Sequence, residues 1–355
     1  MNIIHICACD HRPNGIKTVL RKLSAKQQES GNDVRVFSVY KGTDDFKYIH
    51  TIKEFTAEIK QSRPDIVIFH SVYYALYIPF ALILAFKGIP YSIELHGALS
   101  NDNYKVSHLK KVIANLLCFN AFIKFAKGII YLNEAEYKNS IVKDINPKSS
   151  IVPNGCDIVP GITPKAYQSD QPIKIIYMGR IDRHHKGLDL LIQAIDDNID
   201  KFVSNNIKFL FYGDGTKVEL EWFECALTNI SAVVEFKGPV YGEAKHNALS
   251  DAHLFVLTSR YEGMPMGVLE ALSYGLPCIL TPNTNVGEHV CSAGAGKLTS
   301  LDTDHIAKSI LEFVEEYKTG HIRLQDCAIK LSKTYSWDTI SATSISEYRK
   351  MISAE

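Results

Sequence analysis

The chain lacks the marks of several common protein classes. It has no excess of either charge, since 39 Lys and Arg balance 39 Asp and Glu, so nothing in the total points to a nucleic-acid partner. No apolar run reaches the roughly twenty residues that a membrane-spanning helix needs. The nearest candidate, Val72 to Phe86, is uncharged but shorter and carries Pro79; it is predicted to be a buried helix. No secretory leader is read: Asn2 to Cys9 is apolar but short, has no basic lead-in, and runs into the polar stretch Asp10–Asn14. The eight cysteines show neither zinc-ligand spacing nor the density of a disulfide framework. Cys7, Cys9, Cys118, Cys225 and Cys278 lie in apolar runs and are expected to be reduced core thiols of a cytosolic protein. There is no repeat with a period of 20–50 residues and no low-complexity tract. The turn after Ile3–Cys7 reads Ala8-Cys9-Asp10-His11-Arg12. It lacks the three-glycine dinucleotide fingerprint, which counts against a dehydrogenase.

What the chain does have is alternation. Short apolar runs separated by helical stretches are the pattern of parallel sheets covered on both faces. Strands are predicted at Ile3–Cys7, Val34–Tyr40, Ile66–His70, Tyr91–Leu95 and Gly128–Leu132. A second series runs through Ile173–Met178, Ile207–Tyr212, Val233–Phe236, Leu254–Thr258 and Cys278–Thr281. Between the series, Ile151–Lys165 carries Pro153, Gly155, Pro160, Gly161 and Pro164, a credible linker. A length of 355 residues also suits two cores better than one. The fold class is therefore α/β, with two Rossmann-like doubly wound parallel-sheet domains facing each other across a cleft. Residues 1–160 form the first domain and 161–337 the second. The charge is uneven: residues 1–165 hold 21 Lys and Arg against 14 Asp and Glu, and the remainder is acidic. One half is expected to face something anionic.

Two places carry chemistry. After strand Ile173–Met178, Gly179 lets the chain turn, and Arg180 and Lys186 set two cations beside the start of a helix. Such a site can stabilise the charge on a diphosphate leaving group; a solvated basic loop fits the same residues. After strand Leu254–Thr258 comes Ser259-Arg260-Tyr261-Glu262-Gly263-Met264-Pro265-Met266-Gly267-Val268-Leu269-Glu270. Pro265 suits the first turn of a helix, and Gly263 lets backbone amides approach an anion. Glu262 in the loop and Glu270 in the helix are placed to accept hydrogen bonds from sugar hydroxyls. The alternative is an ordinary loop acid and an exposed helix residue. Asp302-Thr303-Asp304 has the spacing of a metal-binding aspartate pair, but it opens a helical run, so Asp302 is read as a cap. A third stretch, Tyr104–Lys127, holds five lysines, no acidic residue and many interleaved apolar residues. It fits an anionic membrane surface or a core helix with a solvated lysine edge.

The stretch Gly238–His289 resembles bacterial members of glycosyltransferase family 4, retaining and metal-independent enzymes of the GT-B fold. Glu262 and Glu270 match that family's pair of glutamates separated by seven residues. Arg180 and Lys186 fall at its diphosphate-binding pair, with Gly213-Asp214-Gly215 between the two sites, and Pro153-Asn154-Gly155-Cys156-Asp157 resembles its linker motif. The resemblance extends over about residues 3–340.

It implies a nucleotide-diphosphate sugar as donor (UDP- or GDP-linked), with no metal or other cofactor. The acceptor would be a glycan, lipid-linked, in bacterial surface polysaccharide synthesis of the O-antigen or lipopolysaccharide kind. By carry-over, Glu270 would bind the ribose hydroxyls and Glu262 the donor sugar, with Gly263, Met264, Pro265, Met266 and Gly213 around the donor. His96, in Glu94-Leu95-His96-Gly97, would line the donor-sugar pocket, and the loop Arg12-Pro13-Asn14-Gly15 would approach donor phosphate and acceptor. Asn14 stands where many members have a second glycine. Catalysis would rest on Glu262, His96, Arg180 and Lys186, and the last helix, 338–355, would join the first domain. The expected setting is cytoplasmic, on the inner face of the plasma membrane if 104–127 touches it. The rivals are a nucleotide-sugar isomerase of the same fold and a non-catalytic binder of nucleotide sugars.

Overall fold

A computed structural model describes residues 1–9, 15–41, 45–97, 118–320 and 323–353. The chain divides into two compact units, Met1–Gly155 together with Ser336–Glu355, and Cys156–Tyr335. Each is built on a parallel sheet. The first contains β1 (Asn2–Cys7), β2 (Asp33–Ser38), β3 (Lys47–Tyr48), β4 (Ile66–His70), β5 (Tyr91–Glu94), β6 (Ile129–Tyr131) and β7 (Ser149–Ile151). Their order is β3-β2-β1-β4-β5-β6-β7, every neighbour parallel. The second contains β8 (Ile173–Met178), β9 (Ile207–Tyr212), β10 (Val234–Phe236), β11 (Leu254–Leu257), β12 (Cys278–Leu280) and β13 (Gly296–Leu298), in the order β10-β9-β8-β11-β12-β13.

Central strands are covered on both faces and therefore read as continuous apolar runs: Ile66, Val67, Ile68 and Phe69 are all fully buried. Strand order reverses between β1 and β4 in one unit and between β8 and β11 in the other. Loops leaving these strand pairs turn to opposite faces, which opens a crevice at their carboxyl ends. The two doubly wound sheets agree with the fold class read from the pattern. Three strands escape that reading, β3, β7 and β13, and all three are edge strands. An edge strand of two or three residues needs no apolar run, so it leaves no periodic signal.

Two expectations are corrected. Cys7, Cys9 and Cys278 are buried, but Cys225 is exposed and Cys118 half-buried, so these two are not core thiols. The apolar segment Val72–Phe86 is not a buried helix throughout. The helix spans Tyr77–Phe86 and buries Tyr77, Phe80, Ala81 and Leu84, while Leu82 is 67% and Phe86 92% exposed. It is packed from one side, with Phe80 stacked on Phe55 of helix Ile52–Ser62 at 4.0 Å between ring centroids. An all-apolar sequence has no periodicity to reveal which side stays outside.

Helix Trp337–Ser353 belongs to the first unit, where it packs against helix Gly15–Glu29. Its first residue, the buried Trp337, lies on Gly155: a Cβ there would sit 2.4 Å from the indole ring. Gly155→Ala is therefore expected to destabilise the first unit by about 1–3 kcal/mol, the usual effect of overpacking. Urea unfolding followed by tryptophan fluorescence checks this, and an unchanged midpoint would contradict the contact.

Candidate functional site

The loops after β8 and β11 leave the switch point of the second unit together. Arg180 and Lys186 lie on the first loop and Glu262 on the second, and Lys186 Nζ forms an ion pair with Glu262 Oε1. The two side chains are 13% and 10% exposed, so the pair is nearly dry. The same carboxylate oxygen accepts from Ser259 Oγ at 2.7 Å. Between the loops lies His185, stacked on Tyr261 with ring centroids 4.3 Å apart. Its Nε2 is 2.8 Å from the Tyr261 carbonyl, which can only accept, so Nε2 carries the proton and Nδ1 is left as acceptor. Arg180 Nη2 donates to that Nδ1 at 2.7 Å, and Asp182 Oδ1 accepts from the His185 amide at 2.9 Å. Burial lowers the His185 pKa, which favours the neutral ring this geometry needs.

Arg260 ties the loops a second time through a two-pronged bridge to Asp189, at 2.7 and 2.8 Å. Close packing explains the glycines. Gly187 adopts φ +62°, and a Cβ there would lie 2.1 Å from the Thr258 carbonyl oxygen. At Gly213 a Cβ would lie 1.8 Å from the Gly179 carbonyl oxygen, which accounts for that glycine without reference to a ligand. Pro265 precedes the helix rather than opening it: the helix spans Met266–Ser273, and Met264 and Pro265 are buried beneath its start. The helix that starts just after Lys186, at Leu188, adds partial positive charge on the first loop. Glu270 lies in helix Met266–Ser273 and pairs with Lys245 Nζ at 2.5 Å. Asp302 caps helix Thr303–Lys318 by accepting from the His305 amide at 3.0 Å.

His96 belongs to the first unit, just past β5, with φ +51°, while Ser71 just past β4 has φ +68°. Non-glycine residues in this region are uncommon and gather at functional sites. Glu136 holds the turn: its buried carboxylate accepts from the Gly97 amide and, at 2.6 Å, from the Leu132 amide. Behind His96 lies an all-polar cluster. His96 Nε2 is 2.8 Å from His70 Nδ1, and His70 Nε2 is 2.9 Å from His5 Nδ1. Glu94 stands beside them, its oxygens 3.4 Å from His96 Nε2 and 3.6 Å from His70 Nδ1. One ligand atom each from His70, Glu94 and His96 falls within 4.8 Å of the others, a spacing that a metal ion also uses. Gly15 begins helix Gly15–Glu29, whereas Asn14 and residues 104–117 lie outside the described residues.

Lys186 and Glu262 thus meet, Arg180 is joined to them through His185, and Glu270 pairs instead with Lys245, all in one unit. Sequence reasoning missed Asp182, His185, Lys245 and Ser259 in the second unit, and His5, His70, Glu94 and Glu136 around His96 in the first. Most of them become neighbours through strand order, which no local spacing displays.

Residues 13–159 match the family model for Glycosyltransferase Family 4, and residues 172–316 the model for Glycosyl transferases group 1. The chain belongs to the GT-B glycosyltransferases. The chain is 26% identical over 217 residues to one subunit of phosphatidylinositol N-acetylglucosaminyltransferase from Arabidopsis thaliana, covering 60% of the chain and 46% of that protein. It thus spans about half the length of that relative. It is 27% identical over 291 residues to the UDP-Gal:alpha-D-GlcNAc-diphosphoundecaprenol alpha-1,3-galactosyltransferase of Escherichia coli, covering 77% and 72%. The solved structure of Anabaena HepE in complex with UDP superposes with a TM-score of 0.76 at 16% identity, covering 99% of this chain and 100% of that one. That likeness concerns the fold. Among the described residues, no helix is long and apolar enough to cross a membrane.

Burial raises the Glu94 carboxyl to about 8 and Glu136 to about 7. A carboxyl whose folded-state pKa exceeds its unfolded value of 4.5 adds stability at low pH. Both contributions are complete below about pH 4.5 and are lost as pH climbs through 7 and 8. Glu94→Gln, which cannot ionise, is expected to be no more stable than wild type at pH 4.5. It should gain progressively over wild type towards pH 9. Urea midpoints of the two proteins across this range provide the check, and parallel curves would contradict a raised Glu94.

Proposed function

We propose that this chain moves a sugar from a UDP- or GDP-sugar to a glycan acceptor, with retention at the anomeric carbon and without a metal ion. The supporting observation is the Lys186–Glu262 pair at the switch point of the second sheet, with Arg180 joined to it through His185 and helix Leu188–Asp196 starting just after Lys186. Arg180, Lys186 and the helix amides are assigned to the diphosphate, where charge grows as the glycosidic bond breaks. Glu262 is assigned to the sugar hydroxyls, with its Lys186 partner released to the phosphate. Glu270 is assigned to the ribose, exchanging its bond to Lys245 for two hydroxyls. His96 is assigned to a donor-sugar hydroxyl. The departing phosphate oxygen is the proposed base for the acceptor, since none of these side chains is placed as a nucleophile.

The acceptor is proposed to be lipid-linked and the setting bacterial surface polysaccharide synthesis, a reading that the diphosphoundecaprenol in the name of the Escherichia coli relative supports. The UDP carried by HepE favours a UDP-sugar. A peripheral membrane contact on the cytoplasmic side is part of this reading. The exposed Phe125, flanked by Lys124 and Lys127, supports it on the described end of 104–127.

Two measurements test this. Thermal unfolding with UDP, GDP, ADP or CMP, each with excess EDTA, should show one nucleoside diphosphate stabilising the protein. At a hundred times its dissociation constant the gain is about 2.7 kcal/mol, and Glu270→Ala should abolish it. With the donor so identified, Lys186→Ala should lower turnover by roughly 10²–10³, the usual effect of removing one preorganised charge-stabilising group. Unchanged turnover would remove Lys186 from the mechanism. Binding with no transfer to any acceptor would point to the non-catalytic binder instead.

A further inference from the structure

The polar cluster behind His96 is the end of a longer chain of hydrogen bonds whose direction is set at its far end. It starts in helix Trp337–Ser353, where Ser344 Oγ donates to the Ser341 carbonyl at 2.8 Å. A backbone carbonyl can only accept, so the single hydroxyl proton of Ser344 is committed and its oxygen must accept. Gln27 meets it at 2.9 Å, which requires the amide nitrogen of Gln27 to face Ser344 and its Oε1 to face His5 Nε2, at 3.0 Å. His5 Nε2 therefore carries a proton, and His5 Nδ1 accepts from His70 Nε2. His70 Nδ1 in turn accepts from His96 Nε2. All three rings are then neutral with the proton on Nε2, and the Nδ1 lone pair of His96 is left over. No described residue bonds that atom. His5 and His70 are fully buried and His96 alone reaches the surface, with 5% of its side chain exposed. Burial holds the His5 and His96 pKa values down, to about 4 and about 3, in keeping with neutral rings.

We propose that Ser344, Gln27, His5 and His70 are positioning residues that fix the tautomer of His96, so that the donor-sugar pocket offers an acceptor there and selects a neutral, hydroxyl-bearing sugar over its uronic acid. The selectivity rests on the placement of His96 at the donor sugar; the tautomer assignment does not. A sugar hydroxyl can donate to the Nδ1 lone pair, whereas a carboxylate would meet it acceptor to acceptor. Such a mismatch is expected to weaken binding at least about tenfold. Releasing the anchor allows the whole chain to reverse. With Ser344→Ala the Gln27 amide can turn over, and with Gln27→Leu it is gone. His5, His70 and His96 can then each carry the proton on Nδ1, and His96 becomes a donor. The variants should thus gain relative affinity for the uronate rather than merely lose binding.

The test uses the whole protein with ¹⁵N-labelled histidine, rings assigned by single substitutions, at pH 6–8. Wild type should show neutral Nε2–H rings at His5, His70 and His96. A proton on His96 Nδ1, or a charged ring, overturns the proposal. So does stoichiometric zinc found by elemental analysis, because a metal on His96 Nε2 would displace the proton from that atom. Binding is then measured for UDP, UDP-glucose and UDP-glucuronate, or for GDP, GDP-mannose and GDP-mannuronate if guanine is the base recognised. The neutral sugar should be preferred at least about tenfold in wild type and less than about threefold in Ser344→Ala and Gln27→Leu, with nucleotide affinity unchanged. A preference that survives tautomer reversal sinks the positioning role. Ser344→Ala is the milder change and serves if Gln27→Leu does not fold. If wild type binds no nucleotide or nucleotide sugar at all, the donor reading fails and takes the selectivity with it. The ring tautomers stand or fall separately.

Discussion

Two charges taken almost out of water attract each other strongly, yet the loss of hydration cancels much of that gain unless other bonds complete the pair. Lys186 and Glu262 meet this constraint, and much of the second unit's switch point is arranged around it. Ser259 supplies an additional donor to the carboxylate. His185 holds the peptide before Glu262 and steadies Arg180 with its other nitrogen. The Arg260–Asp189 bridge and the Gly187–Thr258 contact keep the two loops at one separation. A pair so held fixes both side chains at one place, and in the proposed reaction Lys186 has only to exchange Glu262 for phosphate as charge develops there.

The fold was legible because parallel strands buried on both faces must be apolar along their length, and runs such as Ile66–His70 and Ile173–Met178 announce this directly. Edge strands β3, β7 and β13 were not legible, since strands of two or three residues need no apolar run, whereas the edge strand β10 was. At the site, Arg180, Lys186, Glu262 and Glu270 could be named because they lie in short loop and helix segments with glycine and proline beside them. Their partners could not. Lys245 is far from Glu270 in sequence, and Glu136 reaches Gly97 only across a strand. Pairing of this kind is decided by topology, and topology depends on the sum of many contacts rather than on any short motif.

The first unit illustrates how a polar interior can be tolerated. His5 and His70 stand in β1 and β4, where an apolar side chain would pack more simply. Each unpaired nitrogen there would carry a desolvation penalty of the order of 1–3 kcal/mol. The chain from Ser344 to His70 leaves no ring nitrogen without a partner until His96 is reached. Satisfied networks of this sort specify one arrangement where an apolar core would accept several.

The position of helix Trp337–Ser353 bears on how the protein is made. Proteins with two domains commonly complete the first while the second is still being synthesised. Here the first unit lacks Trp337 over Gly155, and Ser344 beneath Gln27, until residues 156–335 have left the ribosome. The second unit is contiguous and has no such wait. Order of synthesis and order of completion are therefore opposite. During translation, the unit that emerges first must hold its buried histidines and open apolar flank until the last helix arrives to cover them.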